Sequence, residues 1–292
     1  MVIGIRVRNC KVHQKRSILA SYPPPPTSQV VMALSDENRV HPDLDAWVIP
    51  NFAQDVLGFN PTETLARLSQ YPQRNMGDAI TPFEVQWVDG TNEALHYRGN
   101  DLKRGKIWLQ RGSPEEDGVR KYGYTGWQHR VGMATADVAR CDPVLPVAGK
   151  YDAWASQQGH AAANHYIVTR YVGGQHGIGF HTDKPKDIAP GTLITIVKLG
   201  ECGRPFRIRW LGEKKPFFDR VLAPGTAVVM TLEANLQTEH AVPVVAECLT
   251  TGSIVFRTIK TVVPVAKMLR SIAKAKYGEK KRKRDDGVAH LK

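Results

Sequence analysis

The sequence predicts an α+β protein in which a β-sandwich or double-stranded jelly-roll barrel fills the C-terminal half and helices precede it. From Asn164 onward, short runs rich in Val, Ile and Thr follow one another, broken by Gly and Pro: "HYIVTRYV", "TLITIVKLG", "FRIRW", "RVLAPGTAVVMTL", "HAVPVV" and "GSIVFRTIKTVV". β-Branched residues suit the half-buried surface of a sheet, and many such runs in succession build sandwiches and barrels. Ahead of them, "FNPTETLARLSQY" reads as an amphipathic helix. Asn60 suits the N-cap, Pro61 the first helical position and Glu63 the third, with Leu65, Leu68 and Tyr71 at helical spacing.

The other elements follow in order. Residues 1–41 contain "PPPP" at 23–26 and little apolar periodicity, which predicts a flexible or loosely docked arm. Regular structure is expected from "LDAWVIPNF". Between residues 80 and 140, strand-like runs ("FEVQWVDG", "GKIWLQRG") mix with Gly, Asp and basic residues, and "DPVLPVAGKYDAWASQQ" predicts a proline-led turn and a helix packed on the core. The expected division is an arm at 1–41, an N-terminal part with helices at 42–163, a β core at 164–263 and a basic tail at 264–292. In the tail, Val265, Met268, Leu269 and Ile272 recur at helical spacing, and "EKKRKRDD" resembles a nuclear localisation run.

Composition narrows the function classes. The 292 residues are 42% hydrophobic and 23% charged, ordinary for a soluble globular chain with a sizeable core. No apolar run is long enough for a transmembrane helix or a secretory signal. Cys10, Cys141, Cys202 and Cys248 are scattered and form no CxxC pair, which argues against a zinc ribbon or a disulfide framework and fits a reducing compartment. The net charge of +12 favours a polyanionic partner, most often nucleic acid. Ten Lys/Arg against three acids make residues 264–292 +7, so the rest of the chain is only +5.

The chemistry concentrates in "YVGGQHGIGFHTDKP". In an extended strand, residues two apart face the same way, so His181 and Asp183 project together with Thr182 turned away. One imidazole and one carboxylate make two thirds of a 2-His-1-carboxylate site for non-haem Fe(II). The triplet alone is weak, since "HPD" at 41–43 has the same pattern and is expected to do nothing. A third ligand must come from another strand, and "LAPGTAVVMTLEANLQTEHAVP" offers His240, at the expected start of the next strand. Arg257 follows in "GSIVFRTIK", where a guanidinium could grip a dicarboxylate. Each alone has a commoner structural reading: a solvated turn, a satisfied histidine, a strand salt bridge. The ordered set is far more specific than any member.

With those residues in view, the stretch 164–262 resembles the AlkB-type branch of Fe(II)/2-oxoglutarate dioxygenases. The resemblance lies in "TRYVGGQHGIGFHTDKP", "LITIVKLGECGRPFRIR", "LAPGTAVVMTLEANLQTEHAVP" and "FRTI", and extends more weakly through "GKIWLQRG" and "YGYTGW" to about residue 42. It implies a double-stranded β-helix (jelly-roll) core with flanking N-terminal helices. It implies His181, Asp183 and His240 as iron ligands, Arg257 on a 2-oxoglutarate carboxylate and Tyr171 as a cosubstrate contact. Two imidazoles and one carboxylate leave three positions on Fe(II), two for a 2-oxoacid and one for O2. The chain departs from the family at Thr169, where members usually have asparagine, and at Thr251, where a second arginine is common. These departures leave one clear arginine for the cosubstrate.

The upstream segment looks like the family's nucleotide-recognition lid. In "RKYGYTGWQHR", Arg120, Lys121 and Arg130 interleave with Tyr122, Tyr124 and Trp127, a mix of cations for phosphates and aromatics for bases. Lys103, Arg104, Lys106 and Arg111 extend this patch or form a solvated face, and Arg207 and Arg209 alternate toward the same groove. The expected protein is an intracellular, nuclear or nucleoid-associated monomer that binds Fe(II), 2-oxoglutarate and O2. Its expected activity is the oxidative removal of N-methyl groups from DNA or RNA bases, as in DNA repair. A TET/JBP-like hydroxylase of 5-methylpyrimidines and a nucleic-acid-binding protein with an inactive barrel are the alternatives.

Overall fold

The computed structural model describes residues 33–75, 81–89, 96–97, 100–101, 104–122 and 135–270. Regular structure starts inside the segment expected to be an arm. A 3-10 turn at Asp36–Asn38 leads into β1 (Arg39–His41), which pairs antiparallel with β2 (Leu44–Ile49). Arg39 bonds Asp36 at 3.0 Å and Asp45 at 2.6 Å, tying this hairpin together.

After α1 (Phe52–Asp55) comes the capped helix α2 (Pro61–Leu68). The Asn60 side chain accepts from the amides of Thr62 and Glu63, as its sequence predicts. Five short strands follow: β3 (Gln73–Asn75), β4 (Trp87–Asp89), β5 (His96–Tyr97), β6 (Asn100–Asp101) and β7 (Gly105–Gln110). Then come α3 (Pro114–Asp117), β8 (Val119–Arg120), β9 (Ala136–Asp137) and the proline-led helix α4 (Leu145–Gln157).

Eight strands make the barrel: β10 (His165–Tyr171), β11 (Ile178–His181), β12 (Leu193–Gly200), β13 (Arg204–Trp210), β14 (Phe218–Leu222), β15 (Ala227–Thr231), β16 (Thr238–Val242) and β17 (Thr251–Arg257). A helix that the sequence pattern does not mark, α5 (Leu232–Gln237), separates β15 from β16, and β18 (Val262–Val263) follows the barrel. His240 accordingly lies inside β16 and not at a strand start.

Strand order identifies the architecture. The larger sheet runs β1-β2-β15-β12-β17-β10-β7-β4-β3, with β9 beside β7, and the smaller runs β11-β16-β13-β14. Within the eight barrel strands every neighbour is antiparallel. The chain passes back and forth between the sheets, with β10, β12, β15 and β17 in one and β11, β13, β14 and β16 in the other. This winding is a double-stranded β-helix. Strands from before residue 163 extend the same larger sheet.

Each face of the larger sheet has its own core. Ile254 and Phe256 of β17 turn outward, where Tyr151 of α4 stacks on Phe256 with centroids 4.3 Å apart. Val255 turns inward, packing with Ile167, Ile194, Ile196, Phe206 and Ile208 between the sheets. Strand alternation places Ser253 and Arg257 on this inner face too. The winding also brings together Cys202 and Cys248, free thiols whose Sγ atoms lie 3.0 Å apart although the sequence separates them. Among the described residues, no helix is long and apolar enough to cross a membrane.

Candidate metal centre

β11 and β16 pair so that His181 faces His240 directly, with ring centroids 4.4 Å apart. β11 ends at His181, and Asp183 lies two residues beyond it. Thr182 turns away, its hydroxyl donating to the Thr238 carbonyl at 2.8 Å. The Asp183 backbone is gripped by Asn235 of α5: the Asp183 amide donates to Asn235 Oδ1 at 2.9 Å, and Asn235 Nδ2 donates to the Asp183 carbonyl at 2.9 Å. These anchors bring one ligand atom from each of His181, Asp183 and His240 within 4.8 Å of one another.

Asp183 is 4% exposed, and its side chain is enclosed by donors. Arg257 donates to Oδ2 through Nε at 3.0 Å and Nη2 at 2.5 Å. Tyr122 donates its hydroxyl to Oδ1 at 3.1 Å while accepting from the Lys184 amide at 3.0 Å. The Arg257 guanidinium lies over the Tyr122 ring, 4.5 Å from its centroid.

Burial alone would raise the Asp183 carboxyl, but Arg257, then His240 and His181, outweigh it and hold the group well below the usual carboxylate range. Burial, then His240, pushes His181 down to about 3. Burial also lowers His240, against the pull of Asp183. The cluster therefore presents two neutral imidazoles and one carboxylate, the donor set that non-haem Fe(II) takes. Fe(II) is compatible with this cluster. His181 Nδ1 lies 2.9 Å from the Gly179 carbonyl, the type of outer contact that fixes a ligating ring.

Two residues of the expected site have partners that the sequence does not reveal. Arg257, the expected contact of a cosubstrate carboxylate, clamps Asp183 through Nε and Nη2, a partner 74 residues away in sequence. Tyr122 belongs to the segment expected as a base-stacking lid. It is 4% exposed, beneath Arg257, with its hydroxyl engaged by Asp183. Arg120 and Lys121 are partly buried, Arg120 in β8 paired to Val262. Tyr124, Trp127, Arg130 and Lys103 lie outside the described residues.

The described residues of the wider basic patch are buried or paired. Arg104 and Lys106 are buried, Arg111 pairs with Asp152, Arg207 with Asp219 at 2.9 Å and Arg209 with Glu239 at 2.6 Å. Tyr171 and Thr169 lie on β10, both 4% exposed. The other HxD sits in the β1–β2 hairpin, with His41 edge-on to Trp210, and joins no three-residue ligand cluster among the described residues.

No family model matches the chain, and the search of curated proteins found no match. Among solved structures, that of OsALKBH1 is similar over 75% of this chain and 98% of that chain, at 13% identity and a TM-score of 0.45. The barrel assignment rests on strand order and register and not on this likeness.

Proposed function

We propose that this chain is an Fe(II)- and 2-oxoglutarate-dependent dioxygenase acting on nucleic acid, with oxidative demethylation of N-methylated bases as its reaction. One observation carries the reading: His181, Asp183 and His240 converge within 4.8 Å between the two sheets of a double-stranded β-helix. In it, His181, Asp183 and His240 hold the metal. Arg257 keeps Asp183 ionised, Arg257 and Tyr122 together fix its two oxygens, and burial keeps the imidazoles neutral. When bound, Fe(II) with 2-oxoglutarate and O2 supplies an oxidant that takes hydrogen from a nearby C–H bond. The protein's part is to hold donors, cosubstrate and base in register. Tyr171 and Thr169 on the inner face suit the cosubstrate.

Charge supports the polyanionic substrate. The chain is +12, and +7 of it belongs to residues 264–292, whose "EKKRKRDD" also supports a nuclear or nucleoid setting. The 120–130 segment remains the proposed base-contacting lid through Tyr124, Trp127 and Arg130, with Tyr122 moved to the metal side. Mass spectrometry of nucleosides and formaldehyde after incubation with methylated DNA and RNA oligonucleotides tests the reaction. Formaldehyde with the unmodified base supports demethylation. A stable 5-hydroxymethyl base without formaldehyde replaces it with the hydroxylase reading, and no turnover with bound nucleic acid leaves an inactive barrel.

A further inference from the structure

Arg257 gives Nε and Nη2 to Asp183 at the metal end, so the carboxylate of the proposed cosubstrate far from the metal calls for a counter-charge of its own. Thr251, at the place where a second arginine is common in the resembling family, offers none. The inner face of the larger sheet supplies a different cation. Cross-strand register aligns Lys198 of β12 with Ser253 of β17, Ser253 with Thr169 of β10, and Thr169 with Lys106 of β7. This row lies two steps of strand alternation from Arg257 and one from Tyr171, on the same inner face. Two short hydroxyl side chains thus sit between two long cationic ones. All four are buried, Lys198 at 2% exposure.

Lys198 lacks what a buried ammonium requires. Its Nζ has no hydrogen-bond partner among the described residues, and the Phe206 ring, with its centroid 5.8 Å away, gives it only a distant cation–π contact. The titratable groups acting on it are a second buried cation, Arg204, and the Cys248 thiol, which burial pushes up. A buried cation without an anion is costly, which makes the position one for a ligand to complete. The rival, Arg204, is already engaged: its two terminal nitrogens donate to the carbonyls of Gly173, Gly174, His176 and Pro243 and to the Thr251 hydroxyl. Lys106 belongs to the other end of the row, where Arg257 and Asp183 act on it. Phe206 links Lys198 to the triad, since its ring also stacks on His240 with centroids 5.8 Å apart.

We infer that Lys198, with Ser253 and Thr169 beside it, binds the distal carboxylate of the 2-oxoacid whose other end lies at the His181–Asp183–His240 centre. This rests on the proposed dioxygenase reading and assigns the specificity for a dicarboxylic over a monocarboxylic 2-oxoacid. The signal in the sequence is a lone lysine inside the apolar strand run "LITIVKLG".

Calorimetric binding to the full chain loaded with Mn(II) tests it, using 2-oxoglutarate and 2-oxobutyrate, which keeps the 2-oxoacid end and lacks the distal carboxylate. The wild type should prefer 2-oxoglutarate. Lys198→Met should weaken 2-oxoglutarate by about ten- to a hundredfold, the range of a hydrogen bond to a charged group, and leave 2-oxobutyrate unchanged. Ser253→Val and Thr169→Val, which keep the lysine but remove a hydroxyl, should narrow the same preference and stand in if Lys198→Met does not fold. A preference undiminished in the folded lysine variant, or in both valine variants, overturns the assignment while leaving the dioxygenase reading in place. A wild type that binds neither acid overturns both.

Discussion

Asp183 is bound on every side, and its neighbours give two tests. Arg257→Ala leaves a carboxylate buried without its cation, which costs about 3–5 kcal/mol for a buried pair. Urea denaturation of the metal-free protein should show a loss of that size, with Arg257→Lys losing less. A loss below about 1 kcal/mol, the range of an exposed pair, contradicts the clamp. Tyr122→Phe keeps the ring and removes the hydroxyl shared by Asp183 and the Lys184 amide. If Tyr122 positions the ligand, Mn(II) affinity should fall about tenfold or more. If it stacks a base, phenylalanine serves equally and the affinity stays put. At this scale His181, Asp183 and His240 were legible, because period-two geometry and metal chemistry constrain residue type. The partners of Arg257 and Tyr122 were not, because each lies more than 60 residues from Asp183, and only the winding of the barrel joins them.

At the scale of elements, α5 decides the site as much as the strands do. Asn235 sits in this six-residue helix and makes both backbone contacts to Asp183. Asn235→Ala strips a donor and an acceptor from buried partners. Stability should fall by about 2 kcal/mol or more, as two unsatisfied groups require, with Mn(II) binding weakened alongside. Wild-type stability and affinity in this variant, read by urea denaturation and metal titration, would show that α5 is a spacer only. The helix was hidden in the sequence because "LEANLQ" continues directly from the apolar "TAVVMT" and is too short to show helical periodicity. The strands themselves were legible from their β-branched runs, and α2 from its cap. Sheet membership was not: pairing of β17 with both β10 and β12 is non-local, and the hairpin at residues 39–49 joins β15 across most of the chain.

For the whole molecule, charge and packing separate within the expected tail. Met268 is buried with Phe83 and Val119, so residues up to 270 belong to the folded body. Residues 271–292 hold eight Lys/Arg and three acids, a net +5. Deleting only these should weaken nucleic-acid binding. The slope of log affinity against log salt should flatten by about 0.7–0.9 for each phosphate that the shortened chain no longer neutralises. An unchanged slope would remove the tail from binding. Anaerobic Fe(II) titration with 2-oxoglutarate present is the most direct test of the metal centre. The wild type should bind one Fe(II) per chain, and His181→Ala, Asp183→Ala and His240→Ala should each lose that binding while His41→Ala keeps it. Full Fe(II) stoichiometry and affinity in Asp183→Ala would contradict the account.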